Sequence, residues 1–393
     1  FQNGTARREY RWLSHLGNRY APRRPTIPRE PYDVPAWLAF IRERARDCPT
    51  VYLNGTGWYD PLVQGALDDF AALQDSGHAF VTIAPRGHGG TTGFGEAKAF
   101  RFPEHHPAVD PVPMPSVYDI VKGEEPLAGS VIRYFLMGDV RAPEAPGNRW
   151  IYARSWPPEH ETVSWYLHAD GSLQHRPSGT PGSREYRYDP ANPAPSLGGH
   201  YTWAADKSGP HDQRPLRERD DVLYFESGPL QAPVNVTGRI RARLFVSSSA
   251  PDTQFVLKLV DIYPDGYEAI VRESAMNARF AAGYRRPAPL EPGQVVELAV
   301  DLWSTALVWN KGHRIALLVT SSSAPAYEVH PNTYEPVTFD PGWVYQAENR
   351  GKPVHLNPGF QAGASAATNR VWMGGETSSR LELPVVPLPQ TPE

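Results

Sequence analysis

The stretch VYLNGTGWYDPLVQGALDDFAALQDSGHAFVTIAPRGHGG, residues 51–90, decides the fold class of this chain. Val51-Tyr52-Leu53 is a short apolar run that ends in Asn54-Gly55 and reads as a buried strand. A helix follows. Pro61 stands at its first turn, and Val63, Ala66, Leu67, Phe70 and Leu73 fall on one face at three-to-four spacing, with Gly77 to end it. A second apolar strand, Phe80 to Ala84, runs into the Gly-rich loop Pro85-Arg86-Gly87-His88-Gly89-Gly90. Strand, helix and strand at this spacing predict a piece of α/β architecture with a parallel sheet.

Upstream, residues 1–36 are basic, Pro-rich and aromatic, and Trp37 to about Arg46 reads as a short helix. Downstream, residues 100–129 form a Pro-rich connection. From about Ser130 the apolar period changes to two. Ile240, Ala242, Leu244 and Val246 alternate with Arg239, Arg241, Arg243 and Phe245, and Val296, Leu298, Val300 and Leu302 alternate with Glu297, Ala299 and Asp301. Ile315, Leu317 and Val319 continue the pattern, which predicts half-buried antiparallel strands of a β-sandwich. Ser-Ser-Ser-Ala-Pro occurs at 247–251 and again at 321–325, as matching strand ends. The chain therefore divides at about 1–125 and 130–393.

Composition narrows the function classes. The 393 residues carry 39 basic and 43 acidic side chains, a formal net charge of −4, which argues against a general nucleic-acid binder. No apolar run approaches the roughly 18 residues of a membrane span. Cys48 is the single cysteine, so intrachain disulfides and Cys-pair zinc or redox motifs are excluded. With 42 Pro, 33 Gly and 11% aromatic residues, the chain reads as a mostly-β enzyme or binding protein.

Two segments carry chemistry. In a doubly wound hydrolase the acid follows one late strand, the histidine follows the next, and a helix lies between them, so both loops meet at the carboxyl edge of the sheet. Asp60, in Gly57-Trp58-Tyr59-Asp60, and His88 match that arrangement. Asp60 would orient and charge-stabilise the imidazole, and His88 would shuttle the proton of a nucleophile. A structural reading stands beside this one: an Asp before Pro61 and a helix is a natural N-cap, and His88 is then a solvated loop histidine.

Gly-Trp-Tyr-Asp followed by a helix, a strand and a Pro-x-x-His loop resembles the cocaine-esterase and X-prolyl dipeptidyl peptidase family of serine hydrolases, which includes glutaryl acylases and alpha-amino acid ester hydrolases. The second part resembles that family's β-sandwich more densely. The matching segments include Tyr188-Asp189-Pro190, Pro195-Ser196-Leu197-Gly198-Gly199, Asp212-Gln213-Arg214-Pro215, Arg219-Asp220-Asp221-Val222-Leu223, Lys258-Leu259-Val260-Asp261, Gly312-His313-Arg314-Ile315 and Gly374-Gly375-Glu376. The resemblance implies the C-terminal remnant of an α/β-hydrolase domain followed by an all-β jelly-roll, galactose-binding-like sandwich. It also implies hydrolysis of an ester or amide through a serine acyl-enzyme, with Asp60 and His88 as acid and base. Trp58 and Tyr59 read either as walls of the acyl pocket or, as buried aromatics beside a sheet more often are, as core.

The sequence departs from the family in two places. A nucleophile elbow needs Gly-x-Ser-x-Gly, and none of the 393 residues forms one. The Ser nucleophile and the oxyanion hole are therefore expected outside this chain, on an upstream hydrolase segment, and this chain alone is expected to be inactive. Arg86 stands where the family carries Trp, either to meet a substrate carboxylate or as a surface ion-pair residue. Other groups carry less. His105-His106 lack metal-ligand spacing, His211-Asp212 falls within a sandwich motif, residues 87–95 lack a phosphate loop's Lys, the serine runs lack flanking glycines, and Asn235-Val236-Thr237 is a glycosylation sequon inside a strand region. No cofactor or metal is expected. The expected partners are an ester or amide substrate and the upstream segment, and a homo-oligomer is compatible with both. The rival reading is a non-catalytic sandwich that binds carbohydrate or protein through exposed loop aromatics.

Overall fold

A computed structural model describes residues 38–39, 42–43, 51–88, 100–102, 129–142, 144–200, 207–338, 340, 342–343, 346–349 and 352–389. His105, His106, Cys48 and most of the expected Trp37–Arg46 helix lie outside them, although Leu38, Ala39, Arg42 and Glu43 are helical.

The predicted strand, helix and strand are present as β1 (Tyr52–Tyr59), α1 (Val63–Leu73) and β2 (Ala79–Gly87), with the strands parallel. α1 turns Val63, Ala66, Leu67 and Phe70 to the core and ends through a 3-10 turn at left-handed Gly77. Asn54-Gly55 does not end β1 as expected. Parallel pairing with β2 holds the chain extended up to Tyr59. β3 (Val131–Leu136) then joins β2 in parallel, and β4 (Arg149–Ala153) joins β3 antiparallel, giving a small sheet of order β1-β2-β3-β4. The period change near 130 thus precedes two strands that extend this sheet.

The remaining strands form two larger sheets. One orders β6 (Leu173–Gln174), β5 (Glu161–Leu167), β15 (Arg380–Val385), β9 (Val234–Ser248), β14 (Ala367–Met373) and β7 (Gly182–Tyr188), with β12 (Val296–Trp309) also on β9. The other orders β11 (Glu268–Asn277), β10 (Gln254–Ile262), β13 (Arg314–Thr320) and β8 (Leu223–Glu226). The alternation read in β9 and β12 holds: Ile240, Ala242, Leu244, Val246, Leu298 and Leu302 are completely buried, while Arg241, Arg243, Glu297 and Ala299 are exposed.

β10, β11 and β13 differ from the half-buried expectation, because they are buried on both faces. Leu257, Leu259 and Leu317 join the main core, and Val260, Ile262, Ala316 and Leu318 meet a second cluster with Ala194, Leu216 and Val222. The small sheet docks on this sandwich by main-chain bonds, Met137 N–H to Ala306 O (3.0 Å) and Val308 N–H to Met137 O (2.9 Å). Side chains add to the contact: Arg239 pairs with Asp68 at 2.9 Å, and the Gln64 side-chain oxygen accepts from Ser304 N–H at 2.7 Å.

Candidate active site

The site is made by a register shift. β1 and β2 pair residue by residue from Tyr52–Ala79 to Gly57–Ala84, after which Tyr59 lies opposite Gly87. Two residues of β2, Pro85 and Arg86, therefore face one of β1, Trp58, and the strand bulges. The bulge brings the Arg86 carbonyl so close to Gly57 that a Cβ there would lie 2.1 Å from the oxygen, so only glycine fits. Asp60 and His88, each the first residue past its strand, emerge side by side at the carboxyl edge of the sheet.

The Asp60 carboxylate divides its oxygens. Oδ2 stands 3.1 Å from His88 Nδ1, and Oδ1 accepts from Leu62 N–H at 2.8 Å. The helix N-cap is Leu62, so the structural role of Asp60 is a turn one step ahead of α1. The N-cap expectation for Asp60 is thus replaced by a turn contact, and the imidazole meets the oxygen that the turn does not use. Asp60 is 6% exposed, whereas the His88 side chain is 44% exposed, which places the ring between the buried acid and the surface.

Trp58 and Tyr59 do not open onto the site. Trp58 is completely buried, donates from Nε1 to the Phe135 carbonyl at 2.7 Å, and packs against Tyr134 and Trp156. Tyr59 is 2% exposed, its hydroxyl donates to Ile270 O at 3.4 Å, and burial raises its phenol well above the ordinary value. Of the two readings of these rings, pocket wall and core, their burial agrees with the core, for large aromatic rings beside a sheet bury most of their surface. Arg86 lies half-buried in the bulge.

The sequence reading missed three polar clusters. Arg272, on β11 and fully buried, donates from Nε to Ser304 O at 2.7 Å and from Nη1 to the Trp58 carbonyl, and burial lowers its pKa to about 10. Lys258 and Glu273 lie directly opposite across β10 and β11 and pair at 2.9 Å with neither exposed. His313 stands between Asp261 (2.8 Å) and Asp139 (3.2 Å). Burial opposes charge on His313, but the carboxylates, Asp261 foremost, outweigh it and raise its pKa, while burial lifts Asp261 to about 6. Of these residues, Lys258 and Asp261 lay in the string Lys258-Leu259-Val260-Asp261 and His313 in Gly312-His313-Arg314-Ile315, while Arg272, Glu273 and Asp139 stood in no motif.

The weaker candidates are structural. Ser321 meets Tyr186 (2.8 Å), Ser322 Oγ accepts from Ala194 N–H (2.8 Å), and Ser323 meets Lys258 (2.9 Å), all out of solvent. His211 is buried against Ser208 O (3.2 Å), and Asp212 pairs with Arg214 at 2.6 Å. Asn235 is 3% exposed and accepts from Thr237 at 2.8 Å, which leaves the sequon inaccessible. Among the described residues no cluster of His, Cys, Asp and Glu could hold a metal, and no helix is long and apolar enough to cross a membrane.

The structure sets a parallel strand pair carrying Asp60 and His88 beside a double-sheet domain, and comparison with known proteins shows the family that shares this arrangement of sheets. Residues 131–382 match the family of the X-Pro dipeptidyl-peptidase C-terminal non-catalytic domain, and the chain belongs to the cocaine esterase and X-Pro peptidase-like family. It is 33% identical to cocaine esterase of Rhodococcus sp. (strain MB1 Bresler) over 88% of this chain and 58% of that protein. Its fold is similar to an alpha-amino acid ester hydrolase (TM-score 0.67, 24% identity, 97% of this chain and 62% of that one). It is also similar to an aminopeptidase from a marine-sediment Thaumarchaeota archaeon (TM-score 0.68, 23% identity, 90% and 57%). The chain thus spans little more than half the length of these relatives.

Proposed function

We propose that this chain supplies the acid and the base of a serine hydrolase that cleaves an ester or amide through an acyl-enzyme. The small sheet is then the late edge of an α/β-hydrolase sheet, and the larger sheets form a jelly roll. The observation that carries the reading is the 3.1 Å contact between Asp60 Oδ2 and His88 Nδ1 at the carboxyl ends of adjacent parallel strands. With its Nδ1–H held by the carboxylate, the imidazole has Nε2 as its proton acceptor. Nε2 takes the proton of a serine hydroxyl as the hydroxyl oxygen attacks the substrate carbonyl. It returns that proton to the leaving alcohol or amine, and then activates the water that releases the acid. Asp60 stays ionised and stabilises the imidazolium.

No Gly-x-Ser-x-Gly occurs in the sequence, so the proposal assigns the nucleophile and the oxyanion hole to a segment outside it. The rival binding reading calls for clustered aromatics on exposed loops. Among the described residues Tyr284 is the one large exposed aromatic, and it packs on Phe280.

The test joins this chain to a segment carrying such an elbow. Aryl-ester hydrolysis and labelling by a fluorophosphonate are expected from the joined protein, from neither part alone, and not after His88→Ala. Labelling of the 393-residue chain by itself would place an activated serine within it and contradict the assignment.

A further inference from the structure

The sandwich reaches the acid through one residue. Arg272 lies on β11, yet its guanidinium spans two main-chain carbonyls on either side of the junction: Ser304 O in the sandwich at 2.7 Å and Trp58 O in the small sheet. Trp58 stands two residues before Asp60, and the guanidinium also lies over its ring, 5.7 Å from the centroid. A fully buried arginine ordinarily pairs with a carboxylate. Among the described residues no carboxylate forms an ion pair with this one and its Nη2 has no hydrogen-bond partner. A buried cation kept on two carbonyls makes physical sense where the position of those carbonyls matters.

The second carbonyl is itself specially aimed. β12 carries an extra residue against β9 between Asp301 and Trp303, and Trp303 adopts φ 67°, a conformation that bulky residues rarely take. The bulge turns both main-chain groups of Ser304 to the junction, its N–H to the Gln64 side chain at 2.7 Å and its C=O to Arg272. Ile270, two residues along β11, accepts from the Tyr59 hydroxyl at 3.4 Å. Trp58, Tyr59 and Gln64, on both sides of Asp60, are therefore all held from the sandwich.

Resting on the acid–base reading above, we infer that Arg272 is a positioning residue: through the Trp58 carbonyl it fixes the end of β1 so that the Asp60 carboxylate stays on His88. The domain classed as non-catalytic thus sets the geometry of the couple.

The proton on the ring is the readout. With the histidine rings labelled with 15N and the chain held at alkaline pH, where imidazoles are neutral, NMR shows which nitrogen of His88 carries the proton in the wild type, Asp60→Asn, Arg272→Met and Arg272→Lys. A carboxylate on Nδ1 keeps the proton there, and Asp60→Asn, whose amide can donate to that nitrogen, is expected to move it toward Nε2. Loss of a buried cation by itself does not choose between the two nitrogens, whereas loss of the clamp frees Nδ1. Arg272→Met is expected to move the ring signals at least half as far as Asp60→Asn and in the same direction, and to add little in the double variant. Arg272→Lys keeps the charge, gives up the two-carbonyl fork, and is expected to move them the same way. It decides the matter if Arg272→Met does not fold. Unchanged His88 signals in the folded Arg272 variants, with the Asp60→Asn change intact, overturn the positioning role alone. No change in Asp60→Asn overturns the acid–base couple itself.

Discussion

Gly57 lies beneath the Arg86 carbonyl with no room for a side chain, and that close approach seats Asp60 beside His88. The glycine of Gly-Trp-Tyr-Asp is thus a requirement of the β2 bulge. Gly57→Ala forces the two strands apart at a position where backbone meets backbone. A cost of about 3 kcal/mol or more is expected. Denaturant unfolding of this chain measures it, and a change within about 0.5 kcal/mol would show that the bulge gives way freely.

The His313 cluster makes stability depend on pH. Its carboxylates raise the folded-state pKa above the unfolded value near 6.5, so its contribution is complete below that value and is lost as pH rises through the folded pKa. Burial of Asp261, lifted to about 6, acts in the same direction at lower pH. The melting temperature is expected to fall as pH rises above about 6.5, and to fall less in Asp261→Asn, where His313 loses its closer partner. Parallel curves for the two proteins would remove His313 from the account.

Lys258 and Glu273 test the cost of a buried pair. Lys258→Met leaves Glu273 charged, buried and opposite an apolar group, a loss of about 3–5 kcal/mol. Lys258→Met with Glu273→Leu is expected to recover most of that loss, because the unpaired charge is gone. A double variant no more stable than Lys258→Met would mean that other contacts of Glu273, such as Ser323 at 3.0 Å, hold the sheet.

Local patterns were readable in the sequence and distant polar contacts were not. α1 declared itself because Val63, Leu67 and Phe70 bury one face, and β9 because Ile240 to Val246 alternate with arginines. The reach of β1 past Asn54-Gly55 escaped, since pairing with β2 overrides the turn tendency of those two residues. β10 and β11 hid their double burial behind Lys258, Asp261, Arg272 and Glu273, whose partners arrive from other strands. Arg272 left no motif at all: it meets a main-chain carbonyl, which any residue provides, far away in the sequence. The nearness of Asp60 and His88 was legible because two strand ends around one helix bring their loops to the same sheet edge, whereas composition alone left Trp58 and Tyr59 open between pocket wall and core.

Asp60 holds the turn before α1 with one oxygen and meets His88 with the other, and one variant separates those two contacts. Asp60→Asn is to be made in the protein that joins this chain to its nucleophile-bearing segment, with melting temperature and ester turnover measured on the same sample. Asparagine keeps the bond to Leu62 N–H, so the melting temperature is expected to stay within a few degrees of the wild type. It cannot stabilise the imidazolium and favours the wrong tautomer of His88, so turnover is expected to fall on the order of 10⁴-fold. Near-normal turnover at an unchanged melting temperature would make Asp60 a turn residue alone and contradict the assignment of Asp60 and His88 as acid and base.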